Sequence, residues 1–154
     1  MLQVDIIQRT PLPATIGEQQ LVDWARLAYT EESEQPVEVS VAVVDENEIR
    51  SLNLAYRKQD KATNVLAFPA GESPSAQTQH LGDIVMCVEV IGREAQAQGK
   101  TVEAHWAHLV VHGMLHLQGY DHALQDDALL MENTEIDLLA KIGITNPYTP
   151  INTH

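Results

Sequence analysis

Apolar residues along this chain recur with two alternating periods, and the alternation lays out its elements. Residues 3–8 (Gln-Val-Asp-Ile-Ile-Gln) read as a first strand. Thr15 and Glu18 have capping-box spacing and predict a helix to about Tyr29, with Ile16, Leu21, Trp24 and Leu27 facing inward. Residues 38–44 alternate and are β-branched, which predicts a second strand. Asp45 and Glu48 repeat the capping pattern and open a short helix bearing Ile49, Leu52 and Leu54, with Arg57 at its end. Residues 64–68 form a third strand stopped by Pro69, residues 69–80 a loop rich in Pro, Gly, Ser and Gln, and residues 81–88 a fourth strand. Helices follow at about 89–98, 102–118 and 124–141, the last closed by Lys141 and Gly143. The expected architecture is one α+β domain over residues 1–154. A small mixed four-stranded sheet packs with helices, in a zincin-like arrangement around a buried central helix.

That central helix is apolar nearly all round: Trp106, Leu109, Val110, Val111, Met114, Leu115 and Leu117. Its polar members are His105, His108, His112 and His116, which fall within about 80° of one another at 100° per residue. Burying imidazoles costs free energy unless each has a partner, and a metal ion is one. His112 and His116 are four apart, so both rings leave one face and reach one ion. Gly119 then offers the positive φ that ends a helix and reverses the chain, bringing His122 back as a third ligand. Three nitrogen donors with an open fourth position describe a catalytic zinc site, one Zn2+ per chain. His108 and His112 share the same spacing; the Gly119 stop and His122 beyond it favour the pair 112/116. His105 and His116 lie about 16 Å apart along the axis, so one ion cannot use the whole stripe. Carbonyl-bonded core histidines are the bland alternative.

Composition narrows the setting. A chain of 154 residues that is 44% hydrophobic has a core and is not disordered. The single cysteine, Cys87, excludes an internal disulfide, suits a reducing cytosol, and reads as a packed thiol within its apolar run. No basic leader or long apolar stretch is evident, so a cytoplasmic protein with no membrane partner is expected. The net charge of −13 argues against wrapping a long duplex. Yet Arg50, Arg57, Lys58 and Lys61 lie within twelve positions and form a local basic patch able to hold a short strand.

Two further polar residues stand out. Asp83 sits in an apolar strand, where it orients a liganding imidazole as an outer partner or accepts backbone hydrogen bonds at a strand start. Arg57, taken alone, is an exposed charge at the end of a helix.

The run from His112 to His122, His-Gly-Met-Leu-His-Leu-Gln-Gly-Tyr-Asp-His, resembles the HGxLHLxGYDH signature of the bacterial YbeY rRNA maturation factors, a family of endoribonucleases. The block from Leu52 to Pro69, and Leu81-Gly-Asp-Ile-Val, are similar to two further blocks of that family, in the same order. The resemblance implies a single-strand-specific, zinc-dependent endoribonuclease acting in 16S rRNA 3′-end maturation and ribosome quality control. It implies His112, His116 and His122 as zinc ligands and assigns Arg57 a functional role, reversing the bare reading of that residue. It also implies single-stranded 16S rRNA precursor and the small ribosomal subunit as partners, with no DNA expected; the basic patch around Arg57 makes Lys58 and Lys61 the expected RNA contacts.

Chemistry separates the rival readings. An HExxH metalloprotease places its general base directly after the first histidine, where this chain has Gly113. A peptidase or amidase would need a base from elsewhere, with Asp83 the nearby candidate. Phosphodiester cleavage asks mainly for positioning and charge neutralisation, which a metal and a bidentate arginine supply. Either a zinc-activated water or the RNA 2′-hydroxyl can serve as nucleophile. A non-enzymatic ribosome-assembly factor with a structural zinc is the third reading.

Overall fold

The computed structural model describes residues 2–30, 36–70, 80–120 and 125–148. His122 and most of the predicted loop over 69–80 lie outside them. The elements run β1 (Leu2–Gln8), α1 (Glu18–Ala28), β2 (Val37–Val44), α2 (Glu46–Arg57), β3 (Val65–Pro69), β4 (His80–Cys87), α3 (Val88–Gln98), α4 (Val102–Leu117) and α5 (Gln125–Ala140). The four strands form one mixed sheet in the order β1-β2-β4-β3. β1, β2 and β4 are parallel, and β3 runs antiparallel along the edge of β4. The expected α+β class and mixed four-stranded sheet are therefore observed.

Strand alternation divides the core in two. Val39, Val41, Val43, Ile84 and Met86 pack with α1 and α4, while Val44, Leu66, Phe68, Val85 and Cys87 pack with Ile49 of α2. Cys87 is buried, and that burial pushes its thiol above the ordinary range, as a packed rather than reactive cysteine requires. No helix among the described residues is long and apolar enough to cross a membrane.

Two helix predictions are corrected in detail. The α1 cap is not Thr15 with Glu18: Gly17 is the N-cap, and the Gln20 side chain accepts from its N–H at 2.8 Å. Residues 13–16 are used instead in a turn, Ile16 N–H to Pro13 O, which drives Ile16 into the core before the helix can start. On α2 the Asp45 cap is as expected, accepting from Glu48 N–H at 2.9 Å. Leu54, however, is 48% exposed, and the inward neighbour of Ile49 is Asn53 at 4%. Position 53 lies about 40° round the helix from 49, and position 54 about 140°. Asn53 Nδ2 donates to Lys61 O at 3.0 Å, which ties the turn after α2 back to the helix and fixes where Arg57 leaves it. Lys58 closes α2 in the left-handed conformation, φ 60°.

α4 begins at a Thr101 cap and ends as its sequence predicts, with Gly119 at φ 99° and Tyr120 N–H reaching back to Leu115 O. It approaches the sheet closely: a Cβ on Gly113 would lie 3.3 Å from the Ile84 side chain. Gly82 is tighter still, since a Cβ there would lie 2.4 Å from Phe68 O and 2.6 Å from Leu117 Cδ2. Gly82→Ala should therefore lose about 2 kcal/mol or more in chemical denaturation. Gly92 in α3 has no atom within 4 Å of its would-be Cβ, and Gly92→Ala should gain about 0.5–1 kcal/mol from helix propensity. Equal effects at the two positions would contradict this packing.

Candidate functional site

The histidine stripe of α4 is sorted by the partners that neighbouring elements bring to it. His105 Nε2 lies 2.9 Å from Glu94 Oε1 of α3, and the same oxygen accepts from Asn64 Nδ2 at 3.0 Å. Burial lowers the His105 pKa, and the bond to Glu94 offsets only part of that. His105 is thus a carboxylate-bonded core histidine. One helical turn on, His108 Nε2 and His112 Nδ1 converge on Glu135 Oε1 of α5, at 3.2 and 2.9 Å. The ligand atoms of His108, His112 and Glu135 all lie within 4.8 Å of one another, and this is the group among the described residues with the donors to hold a metal ion.

Glu135 is 0% exposed. Burial alone would raise its pKa, but hydrogen bonds from His108 and His112 outweigh it and bring the carboxyl down to about 2. Its other partner is the Tyr148 hydroxyl, which donates to Oε2 at 2.7 Å and lies 2.9 Å from Oε1. Burial and the Glu135 charge push that hydroxyl well above the usual phenol range. Neither Glu135 nor Tyr148 was singled out by sequence reasoning. The signal for Glu135 was present: it occupies the inward stripe of α5 with Met131, Leu138 and Leu139, where a carboxylate without partners is too costly.

A cleft of about 460 Å³ opens between α4 and the edge strand β3, lined by Arg57, Asn64, His108, His112, His116 and Tyr148, among others. Arg57, His112 and His116, distant in sequence, therefore share one surface. The Arg57 guanidinium sits 4.8 Å over the Phe68 ring, with Nη2 donating to Ala67 O at 2.9 Å and Nη1 to Tyr56 O at 3.3 Å. Lys58 and Lys61 are exposed on the turn joining Arg57 to Asn64, whereas Arg50 is paired with Asp60 at 2.7 Å.

Asp83 is placed elsewhere. Alternation along β4 sends Ile84 toward Gly113 of α4 and Asp83 to the opposite face, in register with Ser40 and Phe68. There it accepts from Ser40 Oγ and meets His80 Nε2 at 2.9 Å. Among the described residues, the imidazole beside Asp83 is His80, and the carboxylate behind His112 is Glu135. Position 113 carries no base, and a side chain there would press on the sheet, its Cβ 3.3 Å from the Ile84 side chain.

An α+β sheet with imidazoles and a carboxylate converging beside an arginine-lined cleft defines a candidate metal-dependent hydrolase. The chain belongs to the YbeY family, whose model, described as Endoribonuclease YbeY, matches residues 8–143. It is 47% identical over 154 residues to Endoribonuclease YbeY of Pseudomonas putida, covering 99% of this chain and 97% of that one. It is 43% identical over 146 residues to Endoribonuclease YbeY of Cellvibrio japonicus, covering 95% and 82%. The solution structure of TM1509 from Thermotoga maritima has a similar fold, with a TM-score of 0.55, 24% identity and 91% of both chains covered.

Replacing His105 with alanine should lower stability by about 2 kcal/mol, from the cavity and the lost bond to Glu94, while metal uptake is unchanged by elemental analysis. Loss of metal from a folded His105→Ala protein would put this residue in the site.

Proposed function

We propose that this protein is a single-strand-specific, zinc-dependent endoribonuclease that works in the cytoplasm on the 3′ end of 16S rRNA precursor and in ribosome quality control. Family membership supports an rRNA-processing hydrolase of RNA phosphodiesters. The observation that carries the reading within the chain is the shared cleft: Arg57 and the α4 histidines line one surface of about 460 Å³.

Zinc, when bound, supplies a Lewis acid for a phosphoryl oxygen and lowers the pKa of water toward about 7. The proposed ligands are His112, His116 and His122. The donor chemistry fits, since His112 and His116 lie one turn apart on the cleft side of α4 and a buried carboxylate stands behind His112. Arg57 is the residue for the scissile or neighbouring phosphate. Its stem and guanidinium are already fixed by Phe68 and the Ala67 carbonyl, so little side-chain freedom is lost when it takes a phosphate. Lys58 and Lys61 extend the positive rim along the strand and carry no sequence information. The small ribosomal subunit is the proposed partner that brings the RNA end to this cleft. Gly113, which lines the same cleft, has no side chain to serve as the base a peptidase uses.

Purified protein should hold about one zinc per chain and lose it on His116→Ala, while His108→Ala keeps it. Retention without His116 and loss without His108 would move the ion to the group formed by His108, His112 and Glu135.

Arg57→Ala should slow cleavage of single-stranded RNA by at least about 100-fold. Zinc content should be unchanged and stability reduced by only about 1 kcal/mol, for the lost contacts with Phe68 and Ala67. Unchanged RNA cleavage by this variant would return Arg57 to a purely structural role.

A further inference from the structure

Glu135 is the most deeply buried carboxylate among the described residues, and the cleft chemistry above makes no direct use of it. An ionised carboxylate only accepts hydrogen bonds, so everything that meets it must donate. Its Oε1 lies 2.9 Å from His112 Nδ1, 3.2 Å from His108 Nε2 and 2.9 Å from the Tyr148 hydroxyl, and its Oε2 lies 2.7 Å from that hydroxyl. A neutral imidazole carries one proton. If Nδ1 of His112 donates to Glu135, the lone pair is on Nε2, at the other side of the ring. His108 is used the opposite way round, with Nε2 toward the carboxylate and a buried Nδ1 that has no hydrogen-bond partner among the described residues.

These three residues have donor atoms close enough to hold an ion themselves. Two observations weigh against that use. Glu135 Oε1 lies 2.9 Å from His112 Nδ1 and 3.2 Å from His108 Nε2, hydrogen-bond distances that are short for two ligands placed about one ion. The Tyr148 hydroxyl is also within hydrogen-bond distance of both carboxylate oxygens.

We propose that Glu135 is a positioning residue. Clamped by Tyr148 and His108, it fixes the His112 ring in the Nδ1–H tautomer and presents Nε2 to the cleft. Tyr148, arriving from the far end of the chain after α5, anchors the carboxylate in turn. The proposal rests on the reading of His112 as a zinc ligand for its effect on the metal. Its effect on the His112 ring is a property of the metal-free protein.

The test uses full-length protein with ¹⁵N-labelled histidine, stripped of metal and held near pH 8, above the ordinary imidazole range. Long-range ¹H–¹⁵N correlation should show His112 as the Nδ1–H tautomer. In Glu135→Ala that signature should shift toward the Nε2–H form, and zinc affinity from chelator competition should fall about 10–100-fold at a retained stoichiometry of one. Glu135→Gln, whose amide oxygen still accepts from Nδ1–H, should recover most of both. Tyr148→Phe, the variant least disturbing to packing, should keep the tautomer and weaken zinc several-fold. A folded Glu135→Ala with unchanged tautomer and affinity would reduce Glu135 to a core residue. Complete loss of zinc in Glu135→Ala and His108→Ala, with zinc retained in His116→Ala, would make Glu135 a ligand and overturn the proposal. If Glu135→Ala does not fold, unchanged zinc affinity in Tyr148→Phe, or an Nε2–H His112 in the metal-free wild-type protein, overturns it. Failure of the nuclease reading appears separately, as wild-type protein that binds zinc yet leaves RNA intact.

Discussion

A helix buried over most of its surface cannot carry four imidazoles unless its neighbours bring partners to them. That constraint organises the molecule around α4. α3 contributes Glu94 to His105, α5 contributes Glu135 to His108 and His112, and the chain beyond α5 contributes Tyr148 to Glu135. Each partner fixes the rotation of the element that bears it, because a carboxylate turned a few tens of degrees aside would leave two polar groups unsatisfied in a dry interior. The packing of α3 and α5 on α4 is thus specified by hydrogen bonds as well as by apolar area. The cleft-facing end of the stripe, His112 and His116, is held by a scaffold whose polar groups point inward to be satisfied.

The cleft itself exists because the sheet ends there. β3 is a five-residue antiparallel edge strand, and α4 runs beside it, so the groove between them has strand backbone on one wall and imidazoles on the other. Arg57 reaches this groove from the last turn of α2 and is tied down by the edge strand, through Phe68 and the Ala67 carbonyl. On a chain of net charge −13 the placement matters. Long-range attraction for a polyanion is absent, so affinity must come from a few cations at short range, beside the groups that would act on the phosphate.

What the sequence made legible followed from repetition. Strands and helices were placed to within a few residues because each carried several periods of its own pattern. The 112/116 spacing and the Gly119 stop were readable because they are local geometry. Errors fell where a choice between neighbouring residues is decided by something distant. Thr15 and Gly17 are both acceptable caps, and the demand of Ile16 for the core chose between them. Leu54 is turned about 140° from Ile49 and faces out, while Asn53, about 40° from it, faces in and is accommodated there by its bond to the Lys61 carbonyl. Asp83 and Glu135 are both carboxylates in apolar runs. Only the sheet's alternation, which turns Asp83 away from α4, and the docking of α5, which turns Glu135 toward it, tell them apart.

The contact between Gly113 and Ile84 bears on what this scaffold can become. Conversion to the HExxH arrangement looks like one codon's work, glycine to glutamate after the first histidine. In this fold it is not a single step. A side chain at 113 overpacks the layer against β4 while Ile84 remains, and trimming Ile84 first hollows the same layer at a cost of about 2–5 kcal/mol. The route from this chemistry to peptide hydrolysis therefore runs through the packing of one helix on one strand, and positions 113 and 84 have to change together.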